Sequence, residues 1–218
     1  MNDLLQDSPL ESSTSSAQSL HSNNVSAINN SAAAFQKQAS HECDMTGTNL
    51  TAVLVIYAGG TIGMQKDPHH GYLPVHGYLH QYLAKHPSFH DTSFYETLCD
   101  NPFINNYKNN GYHGPLITPP SIHDKRVLYQ IKEYECLLDS SNMNMSDWIR
   151  IAGDIEANYK LYDAFVILHG TDTMSFTASA LSFLLENLGK TVILTGSQIP
   201  LSELRNDAVE NFLGSLLI

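Results

Sequence analysis

Two apolar runs that end in Gly-Thr pairs constrain the fold of this chain more than any other feature. The first covers Val53–Gly63 and the second covers Phe165–Thr173. A continuous apolar run that stops at glycine is typical of a parallel strand buried on both faces. Open α/β sheets bind their ligands beyond the carboxyl ends of such strands. The two runs therefore predict a single site, built by two loops about a hundred residues apart in the chain.

Further segments alternate between helical and strand patterns. Apolar residues at helical spacing predict helices at about 78–85, 146–162 and 174–188, and a last helix from about 206. β-branched and apolar runs predict further strands at about 127–134, 164–168 and 191–195. The alternation predicts an α/β fold with an open, mostly parallel sheet and helices on both faces.

Two of these helices carry specific predictions. Ser146 precedes the second helical pattern and is its predicted N-cap. The third helix has apolar residues that we expect to face inward: Ala178, Leu181, Leu184, Leu185 and Leu188. The segment 92–125 is rich in Asn, Pro, Gly and Tyr but poor in apolar clusters. It is long for a loop in a compact domain, so it is predicted to be a surface insertion or partly mobile.

Composition separates the chain into two parts. Residues 1–49 contain ten Ser and six Asn, and Lys37 is their one basic residue. Such a segment cannot bury enough apolar surface to offset the entropy lost on ordering, so residues 1–50 are predicted to be a disordered tail. Residues 51–218 are predicted to form the domain. Because the chain stops at Ile218 inside an amphipathic pattern without a cap, we expect the polypeptide to be truncated.

Charge and cysteine content narrow the function classes. The formal charge of −11 argues against nucleic acid as a partner and against an anionic membrane surface, since both need a basic face. No apolar run approaches the roughly eighteen residues that span a bilayer, and the amino terminus lacks the pattern of a secretory signal. Cys43, Cys99 and Cys136 are odd in number and lack metal-ligand spacing, which predicts reduced thiols in a cytoplasmic protein.

Thr61 follows two glycines at the predicted end of the first strand. Glycine permits a tight turn and a close approach of the backbone to a ligand. A threonine hydroxyl there is a candidate nucleophile for a carbonyl, provided that a neighbour takes its proton. A simple turn whose threonine caps the next segment explains the pattern equally well. A phosphate-binding loop is less favoured because its lysine and its glycine spacing are missing.

The second loop carries Thr171 and Asp172, again at a predicted strand end. Capping of the following helix accounts for both side chains. Alternatively, the hydroxyl and the carboxylate lie at the mouth of the sheet, where an acid can hold the α-ammonium group of an amino acid. Lys190 precedes the 191–195 strand, where a lysine is usually solvated. The polar cluster 139–142 is typical of a turn, which can also supply donors to a carboxylate.

Taken together, these segments closely resemble the asparaginase family, especially its cytoplasmic type I enzymes. The matching segments appear in the family's order: Ala58–Gly63, Gly71–Val75, Leu138–Met143, His169–Thr173 and Glu186–Pro200. The resemblance covers about residues 52–218. It departs at Asn142, where the family usually has Asp, and in the absence of the family's smaller C-terminal domain.

The resemblance implies roles for particular residues. Thr61 would be the nucleophile, and Tyr72 would lie beside it and help to move its proton. Thr171, Asp172 and Lys190 would form a second triad in which the lysine polarises the threonine hydroxyl. The resemblance also implies a turn that binds the α-carboxylate and α-amino groups of the substrate. Its residues are Asp139, Ser140 and Ser141, and Thr171 and Asp172 contribute to the same binding site. No metal or organic cofactor is implied.

The activity that the resemblance implies is hydrolysis of L-asparagine, a small-molecule substrate, to L-aspartate and ammonia through an acyl-threonine. Family members form homodimers or homotetramers, but a truncated chain would lose much of the interface that these assemblies use. The main alternative is a catalytically incomplete fragment or binding subunit that keeps the fold. An amidotransferase subunit and a lysophospholipase are less favoured, since the acidic chain shows no nucleic-acid module and has no Gly-x-Ser-x-Gly motif.

Overall fold

The computed structural model describes residues 50–98, 101–108 and 110–218. The predicted tail lies outside the described residues, apart from Leu50, which begins the first strand. Cys43 and Cys99 also lie outside them, whereas Cys136 is a free, exposed thiol.

The predicted strands and helices are present, with further elements between them. The strands are β1 (Leu50–Gly59), β2 (Met64–Asp67), β3 (Gly71–Pro74), β4 (Leu116–Ile117), β5 (Arg126–Leu138), β6 (Ala164–Leu168) and β7 (Thr191–Thr195). The α-helices are α1 (Tyr78–Lys85), α2 (Thr92–Leu98), α3 (Pro102–Lys108), α4 (Met145–Asn158), α5 (Met174–Leu184) and α6 (Ala208–Leu217). Short 3-10 turns cover Thr61–Gly63 and Ser140–Asn142.

The main sheet has the order β4-β5-β1-β6-β7. Strands β5, β1, β6 and β7 run parallel, and β4 pairs antiparallel with β5 at one edge. β1 lies at the centre, and its residues Ala52 to Gly59 are buried. The predicted open, mostly parallel sheet is confirmed.

Alternate side chains of β1 enter two different cores, as the two-residue period of a strand requires. One core contains Val53, Val55 and Tyr57, together with side chains of α1 and α6. The other contains Ala52, Leu54 and Ile56, together with side chains of α2, α3, α4 and α5. The sheet therefore carries helices on both faces, which confirms the prediction.

The segment 92–125 is more ordered than the sequence predicts. It forms α2, α3 and β4, so its interpretation as a long loop is wrong. Polar bonds hold it to the sheet. The buried side-chain amide of Gln130 donates to the carbonyls of Tyr107 and His113 at 2.6 and 2.9 Å. Its oxygen accepts from Asn110 and Tyr162 at 2.7 and 2.6 Å. Because these contacts are polar, no apolar periodicity in the sequence indicates them.

Two helices differ from their predicted form. α4 is capped by Asn144 rather than Ser146, and it ends at Asn158. α5 ends at Leu184, which is half exposed, and Ala178 is exposed as well, so these two residues do not face the core as predicted. The buried apolar residue of α5 is Leu181.

The segment between the first Gly-Thr pair and α1 is a two-stranded hairpin, β2–β3, which the sequence patterns did not indicate. Its side chains are mostly exposed, so its sequence shows little of the apolar alternation by which strands are recognised.

None of the helices within the described residues has the length and hydropathy of a membrane span.

The cap of α4 gives a direct test of this local structure. The Asn144 side chain accepts from the Ser146 N–H at 2.9 Å, and Asp147 accepts from the Asn144 N–H at 2.9 Å. Asn144→Ala removes this capping box, so we expect the free energy of unfolding to fall by about 1 kcal/mol. Ser146→Ala is the matched control, with a change of a few tenths of a kcal/mol at most. Urea denaturation measures both, and a larger loss for Ser146→Ala would contradict the assignment.

Candidate functional site

The strand order creates a crevice beside β1. The chain leaves β1 toward the hairpin and α1, which packs in one core, and it leaves β6 toward α5, which packs in the other. Neighbouring parallel strands whose connections diverge to opposite faces leave an opening at their carboxyl ends. Thr61 follows β1 and Thr171 follows β6, so both predicted loops lie at this opening.

The two loops meet through their glycines. Gly60 has a φ of 87°, in the region that favours glycine. A Cβ atom at residue 60 would lie 2.5 Å from the backbone nitrogen of Gly170 and 2.6 Å from its Cα. Only a glycine lets the backbones approach so closely. Thr61 and Thr171 are each the next residue after this contact.

A third loop joins the contact from β5. The Gly60 N–H donates to the Leu138 carbonyl at 3.1 Å. The Thr173 hydroxyl donates to the Ser140 carbonyl at 2.7 Å. A Cβ at residue 170 would lie 2.6 Å from the Ser140 Oγ. The predicted binding turn therefore lies directly against both Gly-Thr loops.

Asp139 is fixed within this turn. Its Oδ1 accepts from the backbone N–H of Ser141 at 3.0 Å and from the Ser141 hydroxyl at 2.9 Å. These bonds favour the ionised form, so they lower the pKa of the Asp139 carboxyl below its ordinary value. Asp139 and Asp172 are exposed, whereas Ser140 is buried. The turn thus combines an ionised carboxylate with hydroxyl groups at the opening.

The two threonine hydroxyls differ in their partners. The Thr171 Oγ1 accepts a hydrogen bond from the side-chain amide of Gln198 at 3.1 Å. Gln198 is in turn placed by Asp207, which accepts from the N–H groups of Gln198 and Ile199 at 3.0 and 2.9 Å. The Thr61 hydroxyl makes no hydrogen bond to any residue that the structure describes.

Sequence reasoning did not single out Gln198. The available signal was its position, three residues after the 191–195 strand, at the same edge as the other loops.

Tyr72 lies on β3, which contacts the turn Thr61–Gly63. Its hydroxyl donates to Glu203 Oε1 at 2.7 Å, across 131 residues of sequence. This bond to a carboxylate raises the pKa of the Tyr72 phenol. Tyr72 makes no hydrogen bond to Thr61 and is 41% exposed. The structure therefore brings Tyr72 to the rim of the crevice, held by Glu203, a second residue that the sequence patterns did not indicate.

Lys190 lies elsewhere, and its predicted pairing with Thr171 is wrong. β6 and β7 are parallel, with Ala164 opposite Thr191, so Lys190 lies at the amino edge of the sheet. Its Nζ donates to the carbonyls of Tyr159 and Tyr162, the latter at 2.7 Å. These carbonyls follow α4, where a cation is favoured by the helix dipole. Lys190 therefore stabilises the end of a helix.

The donor chemistry around the crevice is carboxylate, hydroxyl, amide and backbone N–H. Within residues 50–98, 101–108 and 110–218, no three His, Cys, Asp or Glu side chains are grouped so that they could hold a metal ion. The arrangement suits an amino acid, because a carboxylate can hold an ammonium group and N–H donors can hold a carboxylate.

Comparisons with known proteins point to one family. Residues 52–218 match the family model described as "Asparaginase, N-terminal". The chain is 47% identical over 167 residues to L-asparaginase 1 of Escherichia coli K12, covering 77% of this chain and 40% of that protein. It is 41% identical over 168 residues to a human protein named 60 kDa lysophospholipase, covering 76% of this chain and 27% of that one.

A solved structure gives the same result. L-asparaginase I from Vibrio cholerae superposes with a TM-score of 0.57 at 43% sequence identity, over 76% of this chain and 40% of that one. The chain thus spans about two fifths of the length of the bacterial relatives that it matches.

The contact between the glycine loops predicts that one methyl group added at residue 60 strongly lowers the stability of the fold. Gly60→Ala places a Cβ against the Gly170 backbone at an unfavourable φ, so we expect at least about 2 kcal/mol of lost stability. Gly153→Ala is the matched control, because no atom lies within 4 Å of its added Cβ on α4. It should gain about 0.5–1 kcal/mol from reduced chain entropy. Thermal unfolding of both variants measures this, and equal stability would contradict the close approach.

Proposed function

The chain belongs to the asparaginase family, and from that premise we propose that it hydrolyses the side-chain amide of L-asparagine to L-aspartate and ammonia. The observation that carries the proposal is the contact of three strand-end loops at the crevice beside β1. This contact gathers a nucleophile candidate, a second hydroxyl and a carboxylate-bearing turn at one small-molecule site.

Thr61 is the proposed nucleophile. Its hydroxyl has no hydrogen-bond partner among the described residues, whereas the Thr171 oxygen already accepts from Gln198. In the first step the Thr61 oxygen attacks the amide carbon and forms a tetrahedral intermediate. The threonine proton is passed on to the amide nitrogen, the carbon–nitrogen bond breaks, and ammonia leaves. An acyl-threonine ester remains.

The second step returns the enzyme to its starting state. A water molecule adds its oxygen to the acyl carbon, the bond to the Thr61 oxygen breaks, and that oxygen recovers a proton. Thr171 is assigned the orientation of this water or of the amide nitrogen, because its oxygen accepts from Gln198 and its O–H is left to donate. Backbone N–H groups at the glycine turns supply donors to the oxyanion.

The substrate's α-groups are assigned to the remaining polar residues. The Asp172 carboxylate would hold the α-ammonium group, and the Ser140–Ser141 turn would supply hydroxyl and N–H donors to the α-carboxylate. Asp139 stays ionised through the bonds from Ser141, so it adds a second partner for the ammonium group.

Tyr72 is proposed to relay the proton of Thr61. Because the tyrosine O–H donates to Glu203, the lone pairs of its oxygen are left to accept a proton from a neighbouring hydroxyl. β3 contacts the Thr61–Gly63 turn, and the proposed relay requires the hairpin to bring the two hydroxyls within hydrogen-bond distance.

We further propose a cytoplasmic location, because the three cysteines are odd in number and lack metal-ligand spacing, and a homo-oligomer of the family type.

Cleavage of a lysophospholipid is the second candidate, since a human relative bears that name. The sequence has no Gly-x-Ser-x-Gly motif. Parallel assays with L-asparagine and with lysophosphatidylcholine separate the two activities.

Replacing the nucleophile tests the proposal. We expect Thr61→Ala to lower the rate of ammonia release from L-asparagine at least about a thousandfold, because no acyl ester can form. Thr191→Ala is the matched control: this exposed threonine begins β7 at the amino edge and should leave the rate unchanged. A wild-type chain that releases no ammonia at high protein concentration would contradict hydrolysis and favour the alternative, an incomplete fragment or binding subunit.

Lys190→Met tests the corrected position of the lysine. The substitution removes donors from two carbonyls at the end of α4, so we expect unfolding free energy to fall by about 1–2 kcal/mol. Because Lys190 lies at the opposite edge from Thr171, kcat should change less than about threefold. A loss of activity comparable with that of Thr61→Ala, without a loss of stability, would restore the lysine to the site.

A further inference from the structure

A chain of buried hydrogen bonds runs behind the second Gly-Thr loop. His169 ends the β6 run and is 1% exposed. Its Nδ1 lies 2.6 Å from the Gly170 carbonyl oxygen, and its Nε2 lies 2.8 Å from the Thr177 Oγ1. The indole Nε1 of Trp148 lies 2.9 Å from the same hydroxyl oxygen. The chain thus links α4, α5 and the end of β6.

The chemistry of the partners fixes every proton in this chain. An indole N–H can only donate, so the Thr177 oxygen accepts from Trp148. The Thr177 O–H is then free to donate to the His169 Nε2, which must carry a lone pair. The Gly170 carbonyl can only accept, so the His169 Nδ1 must carry the proton. A neutral imidazole with its proton on Nδ1 satisfies all three bonds.

Burial supports the neutral form. Desolvation lowers the pKa of His169, and the bond to the Gly170 carbonyl offsets only part of that change. A protonated imidazole would also turn Nε2 into a donor, which would leave the Thr177 O–H without its acceptor.

The orientation of one peptide group follows from this chain. The peptide between Gly170 and Thr171 is trans and planar, so its C=O and N–H point in opposite directions. The carbonyl is bound to the buried imidazole, so the Thr171 N–H points away from it. Among the residues that the structure describes, this N–H has no hydrogen-bond acceptor.

We propose that His169 is a positioning residue, which holds the Gly170 carbonyl so that the Thr171 N–H is presented to the crevice as a donor to the substrate's developing oxyanion. Thr177 and Trp148 keep the imidazole in the required tautomer. This inference rests on the proposed amide hydrolysis for the identity of the oxyanion, but the tautomer and the peptide orientation are properties of the chain alone.

The tautomer is read directly by long-range proton–nitrogen NMR of the ¹⁵N-histidine-labelled chain. The His169 signals are identified by their loss in His169→Gln. We expect Nδ1 to be protonated and Nε2 to be an acceptor in the wild type. We expect Thr177→Ser to preserve this pattern and Thr177→Val to produce a mixture of tautomers. A wild-type imidazole with its proton on Nε2 overturns the proposal, whether or not any variant folds.

Two substitutions separate the roles of the ring nitrogens. In His169→Asn the side-chain amide can still donate to the Gly170 carbonyl, whereas in His169→Gln the longer side chain can bond Thr177 but places no donor at that carbonyl. The amide resonance of Thr171 should therefore shift more in His169→Gln than in His169→Asn. His123→Gln, at an exposed histidine, is the control and should leave it unchanged. Equal shifts in both His169 variants overturn the proposal.

Kinetics add a third readout. With L-asparagine, His169→Gln should lower kcat at least about tenfold while KM changes less than about threefold, and His169→Asn should recover most of kcat. Unchanged kcat in His169→Gln overturns the positioning role. If the wild type releases no ammonia, the proposed function fails, and the two NMR criteria still decide whether His169 positions the peptide.

Discussion

The approach of Gly60 to Gly170 is the contact on which the rest of the site depends. Two backbones packed without an intervening side chain bring the ends of β1 and β6 closer than any other residue type allows at these positions. The hydrogen bond from Gly60 to Leu138 then draws in the end of β5. The sheet already holds these strands in register. Bringing the two loops together therefore costs little additional chain entropy.

Strand order explains why this contact leaves an opening rather than a packed corner. The chain departs from β1 and β6 toward opposite faces, so the helices that follow these two strands, α1 and α5, pack on opposite sides of the point between them. The polar groups there are then supplied by loops on a rigid scaffold. Ser140, buried against Gly170, and Asp207, which fixes the loop of Gln198, show how neighbouring loops hold one another.

The sequence could predict the sheet because its strands are continuous apolar runs, and it could place Thr61 and Thr171 together because parallel strands share a carboxyl edge. It could not reveal α2 and α3, which bury only a few apolar side chains, and the bonds of Gln130 to the Tyr107 and His113 carbonyls have no apolar pattern. Nor could it place Asn144 as a cap, since Asn144 and Ser146 are both suitable residues. The sequence patterns could not indicate Glu203 and Gln198, because their contacts with Tyr72 and Thr171 join residues that are far apart in the sequence.

The position of Lys190 shows how strand direction limits chemistry. β7 has five residues, so it separates its two ends by roughly 16 Å, which exceeds the reach of a lysine side chain. The group that contacts Thr171 in the described structure is instead the Gln198 amide, which donates and cannot take a proton. Thr171 therefore keeps its own proton available as a donor. The Thr61 hydroxyl accepts no hydrogen bond from any described residue, which agrees with the role of nucleophile proposed for it. The two Gly-Thr loops look alike in sequence, yet their hydrogen bonds suit them to different tasks.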